Sequence, residues 1–136
     1  MLDERIYESY IGILKEEMVP AMGCTEPIAL AYGAARAREV LGKEPEHITA
    51  KCSGNIIKNV RCVIIPNSGG LTGIEAGVVL GAVAGNASLN MEVLSNVNEF
   101  ERKRCRELLD KKICKVELLD SPVVLHFIIR SEERRV

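Results

Sequence analysis

Cys24 is the residue whose type and position suggest the clearest chemistry. It stands immediately before Thr25-Glu26-Pro27, a sequence typical of a helix start. Threonine caps a first turn, a carboxylate is favoured there, and proline lacks an N–H group that the turn cannot use. Backbone N–H groups at a helix start stabilise a thiolate, the form of cysteine that attacks carbon or binds a metal ion. The alternative interpretation is a small buried side chain with no chemical role.

Two further segments carry polar side chains in otherwise apolar surroundings. Asn55, Lys58 and Asn59 supply two amides and an amine, and the alternative for them is local hydrogen bonding at a turn. The loop from Asn67 to Gly73 precedes a predicted helix, whose free N–H groups could hold a carboxylate or a phosphate. It has neither a Walker pattern nor a Gly-x-Gly-x-x-Gly spacing, so a plain capped loop is the simpler interpretation.

The other four cysteines fall at apolar positions and are interpreted as packing residues: Cys52, Cys62, Cys105 and Cys114. The sequence contains no Cys-x-x-Cys pair, so spacing does not signal a self-contained zinc or iron–sulfur site. The odd count of five cysteines argues against a disulfide framework.

Hydrophobic spacing predicts the elements that position these side chains. Apolar residues at intervals of three and four predict helices over residues 3–19, 25–41, 71–87 and 95–112. Alternating apolar runs predict strands over residues 48–53, 60–65, 113–119 and 123–129, and leave residues 53–59 as a bulged turn or one helical turn. The order ααββααββ predicts a two-layer α+β fold, with helices packed on a mainly antiparallel sheet, in a single domain over residues 1–136.

Four glycines spaced four apart mark one ridge of the third predicted helix: Gly73, Gly77, Gly81 and Gly85. Glycine inside a helix costs about 1 kcal/mol relative to alanine. The ridge therefore predicts that another backbone packs closely against it.

Composition excludes several classes of protein. The chain has 136 residues and a formal net charge of −1, so it lacks the basic face that nucleic-acid binding requires. Its apolar runs are too short to span a membrane, and its charged start does not resemble a secretory signal. We therefore expect a cytoplasmic protein that binds neither nucleic acid nor membrane.

Three stretches taken together resemble a known family: Met22–Pro27, Ser53–Val60 and Ile65–Gly85. They are similar to the N-terminal part of the L-cysteine desulfidase family, which is related to the α-chain of iron–sulfur L-serine dehydratases. The resemblance implies a lyase of amino-acid catabolism. It would split L-cysteine into sulfide, ammonia and pyruvate by β-elimination at a [4Fe–4S] cluster, whose open iron would bind the substrate thiol.

The resemblance also implies roles for individual residues. Cys24 would be one ligand of the cluster, and five residues would surround the substrate: Thr25, Glu26, Asn55, Lys58 and Asn59. It identifies no base for the α-proton, and it leaves the choice between cysteine and serine open.

The resemblance covers only the N-terminal part of such enzymes. The remaining ligands would come from a missing C-terminal region or a separate chain, so we expect this truncated chain to bind no cluster and to be inactive alone. An exposed apolar surface could favour a homo-oligomer. Two alternatives stay open, namely a structural or oligomerisation domain and a small-amino-acid-binding module without catalysis.

Overall fold

The computed structural model describes residues 3–133, which form an α+β fold with helices packed against a three-stranded sheet. This confirms the predicted fold class. The elements in chain order are α1 (Glu4–Glu17), α2 (Thr25–Leu41), β1 (His47–Cys52), α3 (Gly54–Val60), α4 (Ile74–Ala84), a 3-10 helix (Ala87–Glu92), α5 (Glu99–Asp110), β2 (Cys114–Leu118) and β3 (Phe127–Glu132).

The sheet is mixed rather than mainly antiparallel. Its strand order is β2-β1-β3, with β1 parallel to β2 and antiparallel to β3. Ala50 at the centre of β1 lies opposite Val116 on one side and Ile129 on the other. A parallel pair needs a long crossover connection, and here α3, α4 and α5 provide it.

The predicted strand over residues 60–65 is wrong, and with it the order ααββααββ. Helix α3 occupies Gly54–Val60, and only an isolated bridge between Ile64 and Thr72 follows it. Ile56 and Val60 are four residues apart and both fully buried, which is helical spacing. The open alternative for residues 53–59 is thus resolved in favour of a helix.

The core forms where α2 and α4 pack against each other, beside α5 and the sheet. A methyl group at Gly81 would overlap with the backbone atoms of Ala31. The two helices are therefore in direct contact at this glycine. The predicted close approach along the ridge is confirmed there. Helix α2 ends at the predicted Gly42, whose positive φ of 80° suits glycine.

Candidate functional site

Cys24 lies at the N-terminus of α2 with its side chain exposed. It occupies the cap position itself, one residue before Thr25, which is the first residue of the helix. Its side chain makes no capping hydrogen bond, and the residue is exposed, so the buried interpretation is wrong. The predicted position of a thiol at a helix start is confirmed.

The short segment ahead of Cys24 is fixed against two other parts of the chain. Ser95 Oγ, which donates to the Glu92 carbonyl oxygen over 2.7 Å, lies 3.1 Å from Met22 Sδ. A methyl group at Gly23 would lie 3.5 Å from Pro66 Cγ, so this glycine packs beside the loop that follows α3. The first and third sequence stretches therefore meet immediately before α2.

Helix α3 brings the second stretch to the same place. Asn55, Lys58 and Asn59 are three and four residues apart, so they share one face of the helix. Asn59 Nδ2 donates a hydrogen bond to Glu26 Oε1 over 3.2 Å, which links α3 to the first turn of α2. Glu26 is half-buried, whereas Lys58 is exposed.

These contacts define a surface that we call the motif corner: Gly23, Cys24, Glu26, Asn59 and Pro66. It presents a thiol, a carboxylate and an amide, and the exposed Lys58 lies beside Asn59 on α3. A carboxylate can bind an ammonium group, and an amine together with helix N–H groups can bind a carboxylate. The corner therefore carries donors and acceptors of the kinds that an amino acid needs.

The loop after Pro66 is held by its own hydrogen bonds. Asn67, at a φ of 57°, donates from Nδ2 to the carbonyl oxygens of Leu94 over 2.9 Å and Val97 over 3.3 Å. Ser68 is buried, and its Oγ accepts from the Leu71 N–H over 2.9 Å. These bonds engage its side chains within the fold, which supports the capped-loop interpretation.

Arg102 helps to hold the loop after Pro66 in place, a role that the sequence did not reveal. Its Nη1 donates to Asn67 Oδ1 over 3.0 Å and to the Asn67 carbonyl oxygen over 3.2 Å, and so ties α5 to the loop. It stands in a run of charged residues on an amphipathic helix, a pattern that is typical of a solvated face. No signal in the local sequence distinguishes it from its neighbours.

The cysteines separate into exposed and buried groups. Burial raises the pKa of Cys52 to about 11 and the pKa values of Cys105 and Cys114 to about 12. These three thiols stay protonated near neutral pH and serve as packing groups, as predicted. Cys62 is exposed, so its interpretation as a packing residue is wrong.

No cluster of at least three cysteine, histidine or acidic side chains within residues 3–133 could hold a metal ion. Cys24 offers a single thiolate, which cannot by itself hold a [4Fe–4S] cluster. We therefore derive no step through such a group. The cluster in a complete enzyme, and the substrate-binding roles of Thr25, Glu26, Asn55, Lys58 and Asn59, stay predictions.

Comparison with curated proteins gives strong matches over almost the whole chain. The chain is similar to UPF0597 proteins. One from Treponema denticola is 48% identical over 131 residues, covering 96% of this chain and 30% of the relative. Those from Desulfitobacterium hafniense and Lachnoclostridium phytofermentans are 47% and 44% identical, covering 93% and 94% of this chain. This chain therefore spans about 30% of the length of the curated relatives that it matches.

These matches correct the assignment made from resemblance. The relatives carry the name UPF0597, not that of an L-cysteine desulfidase or an L-serine dehydratase. Their names give no support to a lyase or an iron–sulfur protein, so that classification is withdrawn. The resemblance rested on three motifs that stand in the same order along nearly the whole chain, whereas these matches align more than nine tenths of the chain.

Two other comparisons give no match. No protein-family model matches the chain, and no solved structure does. Within the described range 3–133, no helix is both long enough and apolar enough to cross a membrane.

Proposed function

We propose that the chain is a binding module for a small α-amino acid, with the motif corner as its site. The observation that carries the proposal is the hydrogen bond from Asn59 Nδ2 to Glu26 Oε1. It joins residues that are 33 positions apart and fixes the Glu26 carboxylate at the start of α2. A fixed carboxylate is a partner for the ammonium group of an amino acid.

The opposite charge of the ligand has its own partners. Because the Cys24 side chain does not cap α2, it leaves first-turn N–H groups open to an external acceptor. Lys58 adds an exposed ammonium group beside Asn59. Both suit the carboxylate of an amino acid, and the exposed Cys24 thiol would lie next to the ligand side chain.

The test is thermal unfolding with L-serine and L-cysteine in the absence of metal. At a ligand concentration ten times Kd, binding to the folded state adds about 1.4 kcal/mol, or roughly 5 °C in Tm for a chain of this size. Lys58→Ala and Asn59→Ala should remove most of this rise. Lys103→Ala is the matched control, because Lys103 is also an exposed helical lysine but lies on α5. Unfolding curves that do not move with either amino acid would overturn the proposal.

The proposed location of the module is the cytoplasm. All five of its cysteines are unpaired. Unpaired thiols are typical of a reducing compartment, where disulfides are rare.

A second candidate function is an association domain, and a specific observation favours it. None of the residues of α1 is buried, although this helix carries large apolar side chains. Exposed apolar surface of this extent marks an interaction site. If the association role is correct, the surface of α1 should become covered in a complex while the amino-acid response is unchanged.

A further inference from the structure

Helix α1 (Glu4–Glu17) carries an apolar face that the described chain leaves uncovered. Ile6, Tyr10, Ile13 and Leu14, here called the α1 stripe, are each about half exposed, at 47–54%. They follow the three-and-four spacing that places side chains on one side of a helix. In most folded proteins such a face packs against a core. The α1 stripe is therefore a candidate surface for binding a partner.

The charges around the α1 stripe have a definite arrangement. Glu17 is seven residues, or about two helical turns, from Tyr10, so its side chain lies in line with the stripe at the C-terminal end. Asp3 caps the N-terminal end of α1, where its carboxylate accepts from the Arg5 N–H over 2.8 Å. Arg5 and Lys15 are each five residues from Tyr10, which turns them about 140° away from it. Arg5 makes only a loose, exposed ion pair with Asp3, at 3.8 Å. The stripe therefore ends in negative charge, and the positive charges face away from it.

This arrangement of charges disfavours two kinds of partner, a second copy of the chain and an anionic membrane. Parallel pairing of two copies along their stripes would place Asp3 beside Asp3 and Glu17 beside Glu17, and antiparallel pairing would place Asp3 beside Glu17. Like charges repel in either case. Helices that lie on anionic membranes carry lysine or arginine beside the apolar face, which is the reverse of the charge pattern here.

We propose that α1 docks into an apolar groove bordered by two cationic side chains, about 21 Å apart, on polypeptide that lies outside this chain in the longer UPF0597 proteins. The spacing follows from the separation of 14 positions between Asp3 and Glu17, at a rise of 1.5 Å per residue. The match covers 30% of the Treponema denticola relative, so about 70% of that protein is available to form the groove. The inference rests on the association role proposed above and is independent of the motif corner.

The segment between α1 and α2 also supports docking of α1 against another polypeptide. Met18 and Val19 are 68% and 67% exposed, and they continue the apolar surface beyond the end of α1. Met22 is in contact with Ser95, over 3.1 Å. A covering polypeptide would therefore bury the stripe and the connection together.

The experiment compares hydrogen exchange in α1 in two proteins. One is this chain alone, and the other is a hybrid in which this chain replaces the matched 131 residues of the Treponema denticola protein. We expect rapid exchange in α1 of the chain alone, at every protein concentration, and at least tenfold slower exchange in the hybrid. Protection in the chain alone that increases with concentration would identify a second copy and overturn the inference. Equally rapid exchange in the two proteins would also overturn it.

Matched variants of the hybrid test the charges. Asp3→Asn with Glu17→Gln removes both terminal carboxylates, while asparagine keeps the capping oxygen of Asp3. Glu8→Gln with Glu16→Gln makes the same charge change away from the stripe. The first pair should lose most of the protection in α1 and the second should keep it, whereas equal protection in the two pairs would contradict the charge assignment.

Two readouts keep the outcomes distinct. If the hybrid does not fold, the unmatched part of the Treponema denticola protein is expressed separately and mixed with this chain. Protection of α1 on mixing supports the inference, and its absence overturns it. Protection confined to β3, with α1 still exchanging rapidly, would overturn the inference.

Discussion

Helices α1 and α4 both carry apolar side chains, but they differ in how far those side chains are buried. Helix α4 (Ile74–Ala84) has eight buried residues among eleven, whereas α1 (Glu4–Glu17) has none among fourteen. Helix α4 is almost uncharged and packs between α2 and α5, where glycine allows the Ala31 backbone to approach Gly81. Helix α1 is strongly amphipathic, and its apolar side is not buried against the described chain.

The comparison separates helix formation from helix burial. Isolated helices shorter than about 12–15 residues are marginal in water, because most helical stability in proteins comes from packing. Helix α4 has that packing and poor intrinsic propensity, since it contains two glycines. Helix α1 has better propensity, and none of its residues is buried by the part of the chain that the structure describes.

The largest expected effect is on proteolysis. Trypsin should cleave after Lys15 in α1 roughly a thousand times faster than after Arg38 in α2, because α1 opens at almost no free-energy cost. Arg38 is half-buried and donates to the Val83 and Gly85 carbonyl oxygens. Mass spectrometry over a time course measures both rates. The shortened product should keep its Tm within about 1 °C, whereas a loss of several degrees would show that α1 stabilises the body.

The next effect is on the α2–α4 contact. Gly81→Ala should lower the free energy of unfolding by about 3 kcal/mol, because its new methyl group meets the Ala31 backbone, which cannot move aside as a flexible side chain can. Alanine's better helix propensity recovers only about 1 kcal/mol of the packing loss. Urea unfolding measures the difference, and a variant as stable as the original chain would mean that the two helices are not in contact there.

Local signals account for the parts of the fold that the sequence predicted well. Helix α2 has the predicted bounds because Pro27 suits its first turn and Gly42 its end, through rules that act within one turn. The expected cap by the Thr25 side chain is wrong, since Cys24 occupies the cap position. The run over residues 60–65 failed because a short apolar segment fits a strand or a helix end equally. The parallel pairing of β1 with β2 depends on a crossover of three helices, and no local pattern specifies it.

The candidate site depended on contacts between distant residues. Each of the three stretches was visible as a set of polar residues, but their meeting at the motif corner depends on two contacts. One joins Glu26 to Asn59 and the other places Gly23 beside Pro66. Spacing along the chain carries no information about either contact. For the same reason, the sequence did not connect Arg102 with Asn67.

A smaller effect is expected in the loop that follows α3. Asn67→Ala should lower the free energy of unfolding by about 2 kcal/mol, because it removes the bonds to the Leu94 and Val97 carbonyl oxygens and places alanine at a positive φ. Asn67→Gly should recover roughly 1 kcal/mol of this loss, since glycine tolerates that backbone conformation. Chemical denaturation compares the two variants, and identical values would show that backbone strain contributes nothing at this position.

The smallest effect is expected from the counterpart of Gly81→Ala in the other helix. Among residues 3–133, no atom outside the neighbouring backbone of α1 lies within 4 Å of a methyl group at Gly12. Gly12→Ala should therefore favour the helical form of α1 by about 1 kcal/mol and leave global unfolding unchanged. Circular dichroism at low temperature measures the gain in helix, and urea unfolding measures global stability. The same substitution would then have opposite effects in α1 and α4, because packing decides the sign. A change of more than about 1 kcal/mol in global stability would mean that α1 unfolds together with the body, and the contrast between the two helices would not hold.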